Sequence, residues 1–387
     1  MKTRSRMRRN LFPICLLLVI TVLAGCDPQA GGTASSPQVP DASATYTPFL
    51  PLENTATVAT DTPIPSPTDT GTATITQTGT PTPSLQVTLD AVGDIMLART
   101  VGDQVLAQGP GIVFAGVQSA LDEADLRLGN LECAISRGGT PEHKSYTLQA
   151  PPETAQALAL GKFDLLSLAN NHAMDYGYPG LAETQTYLGQ YGIATVGAGV
   201  NASAAHMPVL LERNGLRLAF LAYADVPVEI DGFDTHDWAA TDTTPGIAWA
   251  DPNQIAADVT AAKSQADVVI VLLHAGYELN SAPNANQRRE AHAAIDAGAA
   301  LVIGSHPHIL QATEQYHGGL IAYSLGNFVF DNYLGVLNAT AILHVVLTRE
   351  GVQSYDFIPM LIEDGLPRLA DLSEAPVIGT LVAPLTP

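Results

Sequence analysis

The chain has 387 residues, and its 17 Lys and Arg against 38 Asp and Glu give a formal net charge of −21 at pH 7. Binding to nucleic acid or to an anionic lipid surface requires a basic patch, and this charge balance argues against both. Prolines concentrate near the N-terminus, so we expect the folded part to be shorter than the whole chain and to form one large α/β domain.

Residues 1–26 have the features of a secretory signal peptide. Basic residues precede a mostly apolar run from Leu11 to Gly25, which is too short to remain as a membrane span. The run closes with LAGC, which resembles the lipobox at which bacterial lipoproteins are cleaved and acylated. We therefore expect a lipoprotein signal peptide, a lipidated Cys26 and a protein held at the extracytoplasmic face of the cell membrane. An ordinary signal peptide with an incidental cysteine is the alternative.

The next segment, residues 27–84, is rich in Thr, Pro, Ser and Ala and has almost no large apolar side chains. Such a composition cannot bury a core, so we expect a disordered tether between the membrane and the folded domain. Of the three cysteines, Cys15 lies in the signal peptide and Cys26 is the predicted lipidation site. Cys133 is then left without a disulfide partner, and we expect it to be a buried and unreactive thiol.

The folded domain is predicted to span residues 85–365, with residues 366–387 as a C-terminal tail. Its first strand runs from Leu85 toward Asp94, which projects from the strand end as a candidate metal ligand. A surface aspartate in a turn is the alternative reading of Asp94.

Apolar residues at helical spacing from Val117 to Leu128 predict a helix that leads into an apolar, strand-like stretch containing Glu132. An unpaired carboxylate in such a stretch costs several kcal/mol, so Glu132 needs a cation or a hydrogen-bond donor beside it. A structural salt bridge is the alternative to metal binding.

Helices and strands are predicted to alternate through the rest of the domain. Asn214-Gly215 between two apolar runs indicates a β-hairpin, and Asp251-Pro252 offers a cap and a first position for a helix. A strand to His274, a helix to Gly298 and a strand to Gly304 make a βαβ unit. The later apolar segments are also predicted strands, which favours a mixed sheet or two stacked sheets.

Four of the predicted strands end in side chains that can bind a metal ion. These are Asp94; Asn170, Asn171 and His172; His274; and His306 with His308. Ligand groups of open α/β sheets cluster at the carboxyl ends of strands, so we expect these side chains to converge. A mixed set of nitrogen and oxygen donors suits Zn, Mn or Fe better than Mg or Ca. The other six histidines lack this setting and are predicted to be surface or packing residues.

Six ordered motifs carry a family resemblance. They are GDIML at Gly93 to Leu97, NLE at Asn130 to Glu132, ANNHAMDYG at Ala169 to Gly177, HAGYE at His274 to Glu278, GSHPHILQ at Gly304 to Gln311 and SLGNF at Ser324 to Phe328. In order and spacing they resemble the CapA family of poly-γ-glutamate capsule biosynthesis proteins, which is similar to the calcineurin-like metallophosphoesterases. The resemblance implies a four-layer α/β sandwich with mixed sheets and a site for two metal ions.

The resemblance also implies a role for each motif residue. The ligands would be Asp94 and His308 for the first ion, Glu132 as the bridge, and Asn171, His274 and His306 for the second ion. His172 would donate a proton to the leaving group. Apart from the resemblance, we expect Asn170, Glu278 and Asn327 to contact the substrate or to support the ligands. A plain surface glutamate is the alternative for Glu278, and a structural role in a tight turn is the alternative for Asn327. Two departures weaken the first metal position: Met96 stands where the phosphoesterases have His, and Glu132 replaces their bridging Asp.

The function implied is that of a membrane-tethered, metal-dependent hydrolase that acts in poly-γ-glutamate synthesis, processing or export. Its expected partners are the anionic polymer, membrane subunits of capsule synthesis and the membrane itself through Cys26, with no role for nucleic acid. One alternative is a non-catalytic polymer-binding or scaffold subunit, which the missing histidine at Met96 favours. The other is a general metallophosphoesterase.

Overall fold

The computed structural model describes residues 85–331 and 335–385. The predicted signal peptide, its Cys26 and the predicted tether of residues 27–84 lie outside this part of the chain. Within it, no helix is both long enough and apolar enough to cross a membrane.

Two sheets contain most of the strands of the described chain. The strands are β1 (Gln86–Ile95), β2 (Leu126–Leu131), β3 (Ala134–Ile135), β4 (Gln149–Ala150), β5 (Leu165–Ser167), β6 (Ala194–Val196), β7 (Ala198–Gly199), β8 (Val209–Arg213), β9 (Leu216–Asp225), β10 (Gly246–Ile247), β11 (Val268–Ala275), β12 (Leu301–Ser305), β13 (Thr313–Tyr316), β14 (Gly319–Ala322), β15 (Asn327–Val329), β16 (Ala339–Thr348), β17 (Gly351–Glu363) and β18 (Leu366–Leu369).

The helices connect the parallel strands and flank the sheets. They are α1 (Arg99–Gln108), α2 (Gln118–Leu121), α3 (Thr154–Leu160), α4 (Gly177–Gln190), α5 (Ala202–Ala205), α6 (Pro252–Lys263), α7 (Ala285–Ala297) and α8 (Ala375–Leu381). Local sequence explains several boundaries. The Asp251 carboxylate accepts from the backbone N–H groups of Asn253 and Gln254 at the start of α6, and Gly298 ends α7 in the left-handed conformation.

The first sheet has the strand order β18-β17-β16-β1-β2-β5-β6, with β15 also paired to β1. β1, β2, β5 and β6 run parallel, whereas β16 pairs antiparallel to β1 and continues into β17 and β18. The second sheet has the order β13-β14-β12-β11-β9-β8. Its four inner strands are parallel and its two edge strands are antiparallel. Both sheets are therefore mixed.

Alternating side chains of the second sheet divide the interior into layers. Phe220 and Ile270 join a core shared with β1 and β2 of the first sheet. Leu221 and Val271, one position along, pack instead against the buried face of α6 and α7. Because helices α1, α3 and α4 also contribute buried residues on the side of the first sheet, the order is helices, sheet, sheet, helices. This confirms the predicted four-layer α/β sandwich with mixed sheets.

The predicted helix from Val117 to Leu128 is wrong in its second half. The structure has only the short α2, and Leu128 lies inside the parallel strand β2. The chain leaves the helix because Asp125 bonds to β1: its carboxylate accepts from the backbone N–H and hydroxyl of Thr88, and its own N–H donates to the Thr88 carbonyl. Pairing with a neighbouring strand thus overrides the local helical spacing.

The predicted domain end at residue 365 also differs from the structure. Asp364 and Gly365 turn the chain with φ angles of 53° and 85°, and β18 then pairs antiparallel to β17. Helix α8 follows and buries Ile378 against β16 and β17. Residues 366–385 are therefore part of the domain rather than a tail.

Candidate metal centre

Asp94 lies near the end of β1, fully buried. The strand approaches the Gly326 turn so closely that a Cβ at Gly93 would lie 1.8 Å from the Gly326 carbonyl oxygen. The backbone N–H of Asp94 donates to that same oxygen at 2.9 Å. Glycine at position 93 is thus the condition for holding the Asp94 carboxylate at the seam between strands. The surface-turn reading of Asp94 is excluded.

Asn130, at the end of β2, links the predicted ligands from the first sheet. Its Nδ2 donates to Asp94 Oδ1 at 2.9 Å and lies 3.5 Å from Glu132 Oε2, while its Oδ1 accepts from Asn170 Nδ2 at 3.0 Å. A second bond from Asn170 Nδ2 reaches the Leu131 carbonyl at 2.9 Å. These amides fix the carboxylates of Asp94 and Glu132 relative to each other.

His274, near the end of β11, brings the second sheet to the same place. Its Nε2 lies 2.9 Å from Asn171 Oδ1, and its Nδ1 lies 2.9 Å from Ser305 Oγ and 3.8 Å from Asp94 Oδ1. The His274 side chain is fully buried, so this ring spans the junction between the two sheets.

His306 and His308 follow β12 in a tight loop with φ angles of +94° and +58°. Positive φ is unfavourable for residues other than glycine, and such conformations are concentrated at functional sites. The backbone N–H of His306 donates to Asp94 Oδ2 at 3.2 Å, and its ring lies edge-on to that of His274 with 4.8 Å between centroids. His308 Nδ1 lies 3.5 Å from Asp94 Oδ2, and its Nε2 lies 3.6 Å from Glu132 Oε1.

Several buried polar atoms at this junction have no hydrogen-bond partner. They are Glu132 Oε1, both ring nitrogens of His306 and Asn327 Nδ2. Leaving such atoms unsatisfied is costly, and a bound cation would satisfy the carboxylate and imidazole donors. Ligand atoms of Asp94, Glu132 and His274 all lie within 4.8 Å of one another. The donor set therefore fits a divalent metal, and its mixture of nitrogen and oxygen suits Mn, Zn or Fe.

The environment sets these groups up for metal binding. Burial lowers the pKa of His274 to about 3, and burial is also the main reason that the pKa of His306 is well below its usual value. Both rings are therefore neutral, as ligands must be. Burial and the adjacent Asp94 charge raise the pKa of Glu132 well above its usual value. Burial opposes ionisation of Asp94 too, but hydrogen bonding to His308 and nearby positive charge lower its pKa.

The model of the bacterial capsule synthesis protein PGA_cap family matches residues 88–332. The chain is 35% identical over 279 residues to the PGA biosynthesis protein CapA of Bacillus subtilis (strain 168), covering 71% of this chain and 72% of that protein. This chain belongs to the PGA_cap family. It is also 33% identical over 291 residues to the capsule biosynthesis protein CapA of Bacillus anthracis, covering 73% and 69% of the two chains.

Among solved structures, a hypothetical protein from Thermus thermophilus resembles 71% of this chain over 100% of its own length, with a TM-score of 0.46 and 17% identity. That likeness is too distant to carry a functional argument.

His172 lies beside the predicted ligands of this family member. Its Nδ1 lies 2.6 Å from Asp175 Oδ2, and its backbone N–H donates to Asn170 Oδ1 at 2.9 Å. With Nδ1 occupied, Nε2 faces the cluster and lies 4.0 Å from Glu132 Oε1. A carboxylate on one ring nitrogen fixes the orientation of an imidazole, which is what a proton donor requires.

Lys144 is a residue of the centre that the sequence analysis missed. Its side chain is fully buried, and its Nζ lies 3.1 Å from Asp175 Oδ1, 2.8 Å from Glu229 Oε1 and 2.6 Å from the Asn171 carbonyl oxygen. The aromatic rings of Phe233 and Trp238 lie with their centroids 5.2 Å from Nζ. Lys144 follows no strand-like run, so no periodicity pointed to it. Asn130 and Asp175, by contrast, stand within the quoted motifs and could have been found there.

The remaining predicted contacts divide between support and solvent. Asn327 is buried, and its Oδ1 lies 2.9 Å from His308 Nδ1, so it contacts a predicted ligand rather than the open cleft. Glu278 is exposed and lines the cleft above the centre together with Asn171 and His306.

Cys133 is fully buried, and its sulfur accepts from the backbone N–H of Leu97 at 3.4 Å. Burial raises the pKa of this thiol to about 12, so the thiolate is not formed at neutral pH. The predicted burial of a free Cys133 is confirmed, and its lack of reactivity stays a prediction.

Proposed function

We propose that this CapA-like protein is a metal-dependent hydrolase of the extracytoplasmic face, acting on poly-γ-glutamate during capsule synthesis, processing or export. The observation that carries the proposal is the convergence of buried carboxylates and neutral imidazoles next to His172, a ring already oriented by Asp175. The names of its CapA relatives supply the polymer.

Asp94, Glu132 and His274 offer ligand atoms within 4.8 Å of one another in the seam between the sheets. Metal ions bound there would polarise the scissile carbonyl and stabilise the charge that develops on its oxygen. A water molecule would supply the hydroxyl group that bonds to the carbonyl carbon as the C–N bond breaks. His172 Nε2 would give a proton to the leaving amine, while Asp175 holds the other ring nitrogen at 2.6 Å. Lys144 keeps Asp175 and the Asn171 backbone in place from below.

A second candidate is a polymer-binding or scaffold subunit without turnover. Met96 favours it, because this residue occupies the position where the phosphoesterase pattern supplies a histidine ligand. The Met96 side chain is fully buried, and its sulfur accepts from the backbone N–H of Ala98 at 3.2 Å. A first metal position without that imidazole has one ligand fewer.

The test combines metal content with turnover. We expect wild-type protein to contain metal by elemental analysis and to hydrolyse poly-γ-glutamate when supplied with Mn or Zn. His172→Ala should keep the metal and lower turnover by about a hundredfold or more, the usual scale for losing a general acid. Asn171→Ala and His306→Ala should lose metal and activity together, because each removes a predicted ligand.

A generic phosphodiester serves as the control substrate. Faster turnover of the phosphodiester than of the polymer would assign a general metallophosphoesterase. Metal-loaded protein that hydrolyses neither substrate would favour the scaffold, and wild-type protein without metal would refute the site.

The membrane location is part of the proposal and has its own test. Cys26→Ser should release the protein from the membrane fraction or block its processing, because acylation requires the cysteine sulfur. Immunoblots of membrane and soluble fractions measure this, with Cys133→Ser as the matched control that should stay membrane-bound. A Cys26→Ser protein that is processed and retained like wild type would contradict lipid anchoring.

A further inference from the structure

The candidate metal centre lies at the base of a cleft of about 590 Å³. Apolar and aromatic side chains line its upper part, with Tyr146, Ile230 and Tyr277 exposed to solvent by 62%, 98% and 53%. Its carboxylates are Glu278 and the Lys144-paired Glu229, and no arginine or lysine of the described chain lines it. Such a lining holds the neutral backbone of a polymer better than its carboxylates, which need cationic partners elsewhere.

A second cleft, of about 410 Å³, contains Arg99, whose guanidinium carbon lies 5.6 Å from the centroid of the Tyr146 ring. Its charged lining residues are Arg99, Arg137 and Asp103, and Ser136 and Gln149 also line it. Tyr146 lines the first cleft and Arg99 lines the second, so the contact between these two residues makes the clefts neighbours. Two arginines in one depression stand out on a chain with a net charge of −21.

Both guanidinium groups keep donors for a ligand. Arg99 Nη1 lies 3.0 Å from Asp331 Oδ2, and Arg137 Nη2 lies 2.6 Å from Glu153 Oε1. Each guanidinium has five N–H donors, and these bonds each use one. Ion pairs as exposed as Arg137–Glu153, with side chains 66% and 45% accessible, contribute little free energy, so an incoming carboxylate can share or replace the partner.

Arg99 begins α1 with a φ angle of +50°, an uncommon conformation for a residue with a side chain. Seven other described residues that are not glycine also have positive φ. The angle therefore bears on the folding of an Arg99 variant rather than on ligand binding.

We propose that Arg99 and Arg137 form an anion subsite that binds side-chain carboxylates of an extended acidic polymer, while a neighbouring stretch of the same polymer crosses Tyr146 into the cleft over the metal centre. The identity of the polymer rests on the proposed function. In this arrangement the cleft over the metal centre binds the polymer backbone, and the cleft with the two arginines binds the side-chain carboxylates. It also explains how an acidic protein can hold a polyanion.

The experiment measures binding of a fluorescent γ-linked glutamate decamer to the metal-loaded full chain. Arg99→Gln and Arg137→Gln should each weaken binding by about fivefold, the scale of one exposed charge contact, and the double variant by about tenfold or more. Arg217→Gln is the matched control, because it also removes one exposed arginine that is paired with a carboxylate, Asp267, and Arg217 lines neither cleft. This variant should bind the decamer like wild type. A neutral γ-linked glutamine decamer should bind all variants equally.

Two further measurements keep the proposal falsifiable. Thermal melting should show that the Arg99→Gln protein is folded, because Arg99 begins α1 with a positive φ angle. Arg137 is exposed, so Arg137→Gln tests carboxylate binding without this risk to folding. Glu153→Gln should bind the glutamate decamer at least as tightly as wild type, because it frees Arg137.

The results distinguish failure of the arginine subsite from failure of the proposed polymer ligand. Equal binding by wild type and both arginine variants would overturn the subsite and leave the proposed function intact. Weakening by Glu153→Gln equal to that of Arg137→Gln would show a structural role for this pair and would also overturn it. Wild-type protein that binds no glutamate decamer would overturn the proposed polymer and the subsite with it.

Discussion

The ammonium group of Lys144 lies in a closed position between two carboxylates. Asp175 has no exposed side-chain surface and Glu229 has 17%. A buried charge is tolerated only when groups of opposite charge or hydrogen-bonding partners surround it. Asp175, which Lys144 holds in place, also contacts His172 Nδ1 at 2.6 Å and so fixes the orientation of that ring. Lys144 is therefore a positioning residue for the proposed proton donor rather than a group that touches substrate.

We predict that Lys144→Met lowers the free energy of unfolding by about 3–5 kcal/mol, because it leaves the buried Asp175 carboxylate and the partly buried Glu229 carboxylate without their cation. Urea denaturation measures the change. Lys162→Met is the matched control: its ion pair with Asp122 is exposed, with side chains 55% and 42% accessible, so its loss should cost less than about 1 kcal/mol. Equal effects of the two substitutions would contradict the buried role of Lys144.

At the residue scale, sequence reasoning worked best where a polar side chain ends an apolar run. Asp94, Asn171, His274 and His306 stand at such points, and the structure brings them together. The ligand roles themselves stay predictions. Lys144 could not be found in this way, because its partners lie at Asn171 and Asp175 and at Glu229, and only the folded chain brings these segments to it.

At the scale of elements, the centre depends on two close crossings of backbone. A Cβ at Gly93 would meet the Gly326 carbonyl oxygen at 1.8 Å, and a Cβ at Gly304 would meet that of Tyr323 at 1.9 Å. Both contacts lie just before predicted ligands, Asp94 and His306. The strands therefore bring their ligands to the seam only because these positions lack side chains.

Gly93→Ala is predicted to destabilise the domain by several kcal/mol and to lower its metal content, because β1 must move away from the Gly326 turn. Thermal melting and elemental analysis measure both effects. Gly189→Ala, in helix α4, is the control with the opposite sign: its Cβ meets nothing within 4 Å, and alanine should stabilise the helix by about 0.5–1 kcal/mol. A Gly93→Ala protein as stable and metal-rich as wild type would refute the argument.

Elements with strong local signals were predictable. Asn214 and Gly215 have φ angles of 50° and 80°, as a tight hairpin requires, and they join β8 and β9 in antiparallel register. The helix predicted from Val117 to Leu128 was wrong in its second half, because the same apolar spacing also fits a short helix followed by a buried strand. The decisive bond, between Asp125 and Thr88, spans 37 residues and leaves no mark in a local window.

At the scale of the whole molecule, the predicted ligands come from both sheets. Asp94 and Glu132 belong to β1 and the segment after β2, whereas His274 and His306 belong to β11 and the loop after β12. A cation held by this set would tie the two sheets together and would bind the folded state alone. Any such ligand stabilises the fold by mass action.

Metal removal should therefore lower the melting temperature, and Mn or Zn should restore it, with about 2.7 kcal/mol gained at about a hundredfold excess over Kd. The effect should grow as pH rises. Burial and Asp94 raise the pKa of Glu132, so this carboxyl keeps its proton in the metal-free fold and must release it when a cation binds. Burial lowers the pKa of His308, but its bond to Asp94 outweighs this and raises it, so it releases a proton too.

Calorimetry at about pH 5.5 and pH 8, in EDTA and in metal, measures this difference, because the two values lie on either side of the ordinary range of a histidine. A metal-induced shift in melting temperature that is equal at both values would show that binding displaces no proton, and no shift at either would refute the centre.

The pairing of β1 with β16 determines how late in synthesis the first sheet can be completed. Gln86 lies opposite Thr348, so the first strand of the described domain pairs with one synthesised much later. A ribosome delivers the chain from its N-terminus, and β1 has to wait for its antiparallel neighbour until nearly the whole domain has emerged. A chain truncated before β16 would leave an apolar edge of β1 exposed, and we expect proteases to degrade it because it cannot complete the first sheet.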